Sequence, residues 1–265
     1  MPVETILVDA IRRRLTTWPR KPLVVGLCGA QGSGKSTVSA ALTANFKGSV
    51  TFSIDDLYLG RAARSALAKR IHPLLATRGV PGTHDPMLGV EVLDTLKRGR
   101  SVAIPHFDKA SDDRVPCEEW SHVEPGCELV IFEGWCVGAR PQEAVDLVAP
   151  VNALEAEEDS DGRWRRFVND ELAGAYQQLF SCIDMLVLLA APSWETILGW
   201  RLQQEHELSA ERPNGAGVMD DHQVARFVSH YERLTRHILA EMPGRADVLV
   251  YLNQSRECVG AEYRP

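Results

Sequence analysis

One segment of the chain has residue types and spacing that point to a specific chemistry. Gly29-Ala30-Gln31-Gly32-Ser33-Gly34-Lys35-Ser36-Thr37 is a G-x-x-x-x-G-K-[ST] phosphate cradle. Its glycines let successive backbone N–H groups turn toward one anion, and the helix expected to follow adds partial positive charge at the same point. Lys35 then reaches the β- and γ-phosphates of a nucleoside triphosphate, and the Ser36 hydroxyl is placed to bind Mg²⁺. All of Gly29 to Thr37 is assigned to ATP on this basis.

Acids follow at two later points. Ser53-Ile54-Asp55-Asp56-Leu57-Tyr58 closes an apolar run, and phosphoryl transfer to an alcohol needs a carboxylate to orient or accept the hydroxyl proton. Asp55 is the candidate base, and Asp56 is assigned to the turn or the metal. The competing reading is that both aspartates cap a helix N-terminus. Glu133, at the end of Glu128-Leu129-Val130-Ile131-Phe132-Glu133-Gly134, is the candidate Mg²⁺ acid alongside Ser36.

Charge developing on the transferring phosphoryl group calls for a cation. Arg201 in Trp200-Arg201-Leu202-Gln203-Gln204-Glu205 is the first choice and Arg212 the alternative. An ordinary i,i+4 pair between Arg201 and Glu205 is the rival account. Two irregular segments, Arg78–Asp85 and Pro105–Arg114, mix cations, acids and turn residues. Together they suit a small anionic, hydroxyl-bearing substrate. The candidate contacts are Tyr58, Arg78, His84, Asp85, His106, Asp108, Lys109 and Arg114.

These residues need a scaffold. Apolar runs bounded by turn residues recur at Leu23–Cys28, Val50–Ile54, Leu129–Phe132, Met185–Ala190 and Val248–Leu252, with a short edge strand expected at Val102–Ile104. Helical periodicity marks Lys35–Phe46, Arg61–Ile71, Val90–Lys97, Trp164–Phe180, Trp194–Glu207 and Asp221–Glu241. Alternation of the two predicts βα units and a largely parallel sheet. The stretch Met1–Thr17 reads as an amphipathic helix, residues 208–219 as a lid, and Glu155–Asp161 as a solvated acidic patch. The whole of residues 1–265 reads as one domain, with substrate-side loops over 72–125.

At 265 residues and 45% hydrophobic content, the chain can bury a large core. A net charge of −7 argues against a nucleic-acid partner, which requires a basic face. The six cysteines form no C-x-x-C pair and no metal-ligand spacing, so reduced thiols are expected. No apolar run approaches a membrane span. Glu4 and Asp9 count against reading Arg12-Arg13-Arg14 as part of a transit peptide, so a cytoplasmic location is expected.

Taken in order, Gly29–Thr37, Ser53–Tyr58, Thr77–Asp85, Ile104–Pro116, Phe132–Gly138, Asp161–Asn169, Trp200–Glu205, Met219–Tyr231 and Asp247–Arg256 resemble D-glycerate 3-kinases of the phosphate-loop type. These are relatives of uridine kinase, phosphoribulokinase and pantothenate kinase. The resemblance implies a three-layer α/β/α P-loop NTPase fold with a mostly parallel five-stranded core sheet. It also implies ATP- and Mg²⁺-dependent phosphorylation of D-glycerate or a similar hydroxy acid, with Asp55 as general base. By the same resemblance Asn253 and its neighbours frame the adenine. The family pattern has Arg before the Phe-Asp-Lys segment, where this chain has His106, a cation titratable near neutral pH. The reading from another class is a nucleotide-dependent regulatory ATPase. The paired acceptor-side loops and the lack of an extended apolar docking segment favour the kinase.

Overall fold

The run Leu-Val-Val-Gly-Leu-Cys-Gly forms a fully buried strand, as expected of a central strand covered on both faces. A computed structural model of the chain describes residues 1–211 and 219–264. Helix α1 (Val3–Thr17) leads into β1 (Leu23–Gly29), α2 (Lys35–Asn45) and β2 (Ser49–Ser53). Next come α3 (Arg61–Arg70), α4 (Pro86–Lys97) and four short strands, β3 (Val102–Ile104), β4 (Phe107–Asp108), β5 (Asp113–Arg114) and β6 (Ser121–Val123). The second half contains β7 (Leu129–Gly134), α5 (Ala153–Glu158), α6 (Arg163–Ala173), α7 (Ala175–Phe180) and β8 (Met185–Ala190). It ends with α8 (Trp194–Glu211), α9 (Asp221–Glu241), β9 (Val248–Leu252) and β10 (Cys258–Tyr263).

The main sheet runs β10-β9-β8-β1-β7-β2. Its β9-β8-β1-β7-β2 portion is parallel, and β10 adds to β9 in antiparallel sense. This is the expected five-stranded parallel core with one further edge strand. Successive residues of β7 explain the three layers: Leu129 and Ile131 pack on one side with α1, α2 and α8, while Val130 and Phe132 pack on the other with α4 and α7. That alternation is the period of a strand with two covered faces.

Three expectations are corrected. Val102–Ile104 is not an edge strand of the core sheet but pairs antiparallel with β6 in a separate two-stranded sheet. Pro105 follows it directly and has no N–H to extend a ladder. The helix expected over Trp164–Phe180 breaks at Gly174, whose N–H bonds to the Asp170 and Glu171 carbonyls before α7 begins. The acidic patch is solvated only in part, at Glu157, Glu158 and Asp161. Glu155 and Asp159 are buried, the first paired with Arg233 and the second with Arg165.

The cysteines are free thiols, with Cys28 and Cys136 buried. Among the described residues, no helix is long and apolar enough to cross a membrane. The lid expected at 208–219, with Arg212, falls for the most part outside the described residues.

Candidate active site

The phosphate loop leaves β1 and turns through Gly32 (φ 75°) and Gly34 (φ 85°), both left-handed conformations that glycine adopts without penalty. A Cβ on Gly32 would also stand 2.7 Å from the Trp200 Cβ of α8, so the loop is packed as well as bent. Gly34 is the N-cap of α2 and no side chain caps that helix. Its first-turn N–H groups are therefore left for an anion. The Ser33 hydroxyl is buried without a partner, and Lys35 Nζ lies across the loop, donating to the Ala30 carbonyl at 3.1 Å. Unspent donors, helix dipole and a lysine in one turn fit a polyphosphate.

Beside the loop, the parallel register sets Ser53 of β2 against Glu133 of β7, and Glu133 against Leu27 of β1. The register thus brings Glu133, and Asp55 two residues beyond the end of β2, to the sheet's carboxyl edge, the ligand crevice of open α/β sheets. Burial pushes the Glu133 carboxyl above its ordinary range, with Lys35 pulling the other way. Ser36 and Glu133 offer oxygen donors to the same cavity, the ligand type Mg²⁺ prefers.

The capping account of the aspartates fails, because Ser53 caps the 3₁₀ turn Ile54–Leu57 by accepting from the Asp55 N–H at 3.2 Å. Both aspartates are free for other contacts. Asp55 Oδ1 accepts from the Tyr58 hydroxyl at 3.0 Å, and Oδ2 accepts from Lys109 Nζ at 2.6 Å. Burial raises the proton affinity of Asp55, yet Lys109, His84 and the Tyr58 hydroxyl outweigh it and hold the carboxyl below its usual range. Asp56 Oδ1 faces His106 Nδ1 at 3.1 Å and accepts from the Phe107 N–H at 3.3 Å.

A cavity of about 650 Å³ joins these groups. Of the candidates, Gln31, Gly32, Lys35, Ser36, Asp55, Tyr58, Arg78, His106, Asp108, Lys109, Glu133 and Arg201 line it. Arg201 does so while also making the expected i,i+4 pair with buried Glu205 at 2.5 Å. Three acceptor-side candidates stand elsewhere. Asp85 caps α4, accepting from the Leu88 N–H at 3.2 Å, and Arg114 donates to the Leu57 and Tyr58 carbonyls at 3.2 and 3.0 Å.

His84 is buried behind Tyr58, stacked on its ring at 4.3 Å with Nδ1 2.6 Å from the Tyr176 hydroxyl. Asn253 closes its own turn through Glu257, with contacts of 2.9 Å. Its neighbour Arg256 reaches back to the phosphate loop, Nε donating to the Gly32 carbonyl at 2.6 Å with the guanidinium over Trp200.

Several residues of the site escaped the sequence reading. Tyr231 and Phe227 line the cavity from α9, where helical spacing makes them indistinguishable from core. The Tyr231 hydroxyl donates to the Arg78 carbonyl at 3.0 Å, and Trp135 Nε1 to the Gly79 carbonyl at 2.9 Å, fixing the Arg78 loop. Gly79 is required there, because its φ is 140° and a Cβ would overlap the Tyr231 hydroxyl. Asp112, left-handed at φ 57°, gathers Arg64 and Arg78. No local pattern marks an acid as the hub of two arginines so distant in sequence.

The burial of His84 predicts a pH dependence. Its imidazole is pushed down from 6.5 to about 3, chiefly by burial. Between those values the unfolded chain takes up a proton that the folded chain does not. Its contribution is therefore full above about 6.5 and is lost as pH falls toward 3. One proton corresponds to about 1.4 kcal/mol per pH unit. Denaturant unfolding from pH 7 to pH 4 should show wild type losing stability more steeply than His84→Leu by that amount; parallel profiles would refute the account.

A profile described as "Phosphoribulokinase / Uridine kinase family" matches residues 24–148. Over 248 residues the chain is 37% identical to an uncharacterized kinase, mug58, of Schizosaccharomyces pombe, covering 85% of each protein. It is 34% identical over 225 residues to the chloroplastic D-glycerate 3-kinase of Arabidopsis thaliana, covering 79% of this chain and 46% of that protein. The solved D-glycerate 3-kinase of Cryptococcus neoformans superposes with a TM-score of 0.73 at 27% identity, covering 98% of this chain and 97% of that one.

Proposed function

Since the chain belongs to the phosphoribulokinase and uridine kinase family of ATP-using kinases, we propose that it transfers the γ-phosphoryl group of ATP to a hydroxyl of D-glycerate or a similar hydroxy acid. The observation that carries this reading is the cavity itself. The phosphate-loop Lys35 and Asp55 line one space with Arg78 and Lys109, cations suited to a carboxylate. The D-glycerate 3-kinases among the relatives support the same acceptor class.

In this reading the loop N–H groups and Lys35 hold the triphosphate. Mg²⁺, bound through Ser36 and Glu133, would neutralise phosphate charge. Asp55 accepts the proton of the acceptor hydroxyl as the new O–P bond forms and the bond to the β-phosphate oxygen breaks, releasing ADP. Arg201 faces the same cavity and stabilises charge spreading over the transferring group. The Tyr58 hydroxyl holds Asp55 in place.

The test is direct. Purified protein with ATP, Mg²⁺ and D-glycerate should release ADP and form a phosphate ester. Turnover with uridine or pantothenate and none with glycerate would move the acceptor within the family. Slow hydrolysis indifferent to every acceptor would favour the regulatory ATPase.

A further inference from the structure

Asp55 has one carboxylate oxygen committed to the scaffold and one that the acceptor hydroxyl would need. Oδ1 is tied to the Tyr58 hydroxyl at 3.0 Å. The Tyr58 ring is itself immobilised between His84, stacked at 4.3 Å, and the edge of Phe107 at 5.2 Å. Oδ2 is covered by the Lys109 ammonium at 2.6 Å. We propose that Lys109 is a latch on Asp55, opened by the carboxylate of an acidic acceptor, so that the base is exposed only when such an acceptor is in place. The inference rests on the function proposed above and sharpens its substrate class to hydroxy acids whose anionic group can reach Lys109.

The surroundings of Lys109 separate a mobile side chain from a fixed backbone. The Asp108 carboxylate accepts from the Ala110 and Ser111 N–H groups at 2.9 and 3.0 Å. On the far side of the turn, Asp112 is clamped by Arg64 and Arg78. The Lys109 side chain itself is 60% exposed, and among the described residues it has no carboxylate partner other than Asp55. A partly exposed pair of this kind contributes little free energy, so a competing carboxylate displaces it cheaply.

The other cations of the cavity have partners whose loss would leave the base untouched. Arg78 is held by Asp112 and Arg201 by Glu205, while Lys35 donates to the Ala30 carbonyl. Lys109 alone among these has the base as its partner. Exchanging the Asp55 carboxylate for the acceptor's keeps the ammonium paired and releases Oδ2 in the same event. Water brings no charge with which to make that exchange. The latch therefore holds down wasteful hydrolysis of ATP as well as selecting the acceptor.

The experiment compares wild type, Lys109→Met and Lys109→Arg as full chains. Acceptor-free ATP hydrolysis in Lys109→Met should rise about 10-fold or more, part of the ~10²–10⁴-fold that a positioned base contributes. Lys109→Arg should keep it low. The KM for D-glycerate in Lys109→Met should rise about fivefold or more, the worth of one ion pair, while turnover of the neutral analogue glycerol does not fall. Hydrolysis equal in wild type and Lys109→Met overturns the latch. An unchanged preference for glycerate over glycerol overturns its coupling to the acceptor's charge. The hydrolysis comparison uses no acceptor, so a wild type inert toward every hydroxy acid would sink the proposed function while the latch is still decided.

Discussion

Asp55→Asn is expected to lower kcat by about 10²–10⁴-fold, the contribution of a positioned general base, which is roughly 3–5 kcal/mol of barrier at 1.36 kcal/mol per tenfold. The amide keeps an oxygen for the Tyr58 hydroxyl, so the turn Ile54–Leu57 stays intact, but it cannot take up the acceptor's proton. ATP affinity should change little, because the phosphate loop is built from backbone and Lys35, and no hydrogen bond links it to Asp55 among the described residues. The check is a pair of measurements on one sample, ATP Kd and turnover with the acceptor. Retention of more than about a third of the rate, where loss of a base predicts at least ~10², would remove Asp55 from the chemistry. A parallel loss of ATP binding would instead make it part of the nucleotide site.

The second large effect concerns stability. Glu155 is fully buried on α5, and both its oxygens take hydrogen bonds from Arg233 of α9, at 2.8 and 2.7 Å. The same guanidinium donates to the Asp146 and Ala149 carbonyls, each at 2.6 Å, and Glu155 also accepts from the Val151 N–H at 3.0 Å. This one pair pins the irregular chain around 146–151 to α9.

Glu155→Ala would strand the arginine in a dry site. A cost of about 3–5 kcal/mol is expected, a fall in Tm on the order of 10 °C for a chain of this size. The double variant Glu155→Leu with Arg233→Met should recover part of that loss, because no charge is left unpaired. It should not recover all, since the Asp146 and Ala149 carbonyls lose their donor. None of these residues lines the cavity, so kcat at low temperature should be preserved. A single variant as stable as wild type would show that solvent or another acid reaches Arg233.

The sequence by itself determined what depends on neighbouring residues. The loop Gly29–Thr37 acts through its own backbone, so its spelling carries its geometry. The apolar runs place Glu133 at one strand end and Asp55 just beyond another, and parallel register then brings those ends together. Strand and helix periods were legible for the same reason, down to the limits of β8, α9 and β9.

What the tertiary structure decided is which charges meet. Lys109 and Asp55 are 54 residues apart, and Glu155 and Arg233 are 78 apart. Nothing near Glu155 in the chain distinguishes it from a solvated acid, and nothing near His84 says that Tyr58 stands between it and the cavity. Ion pairing and burial depend on distances of a few ångströms set by the packing of whole elements, and those distances exist only once the chain has closed upon itself.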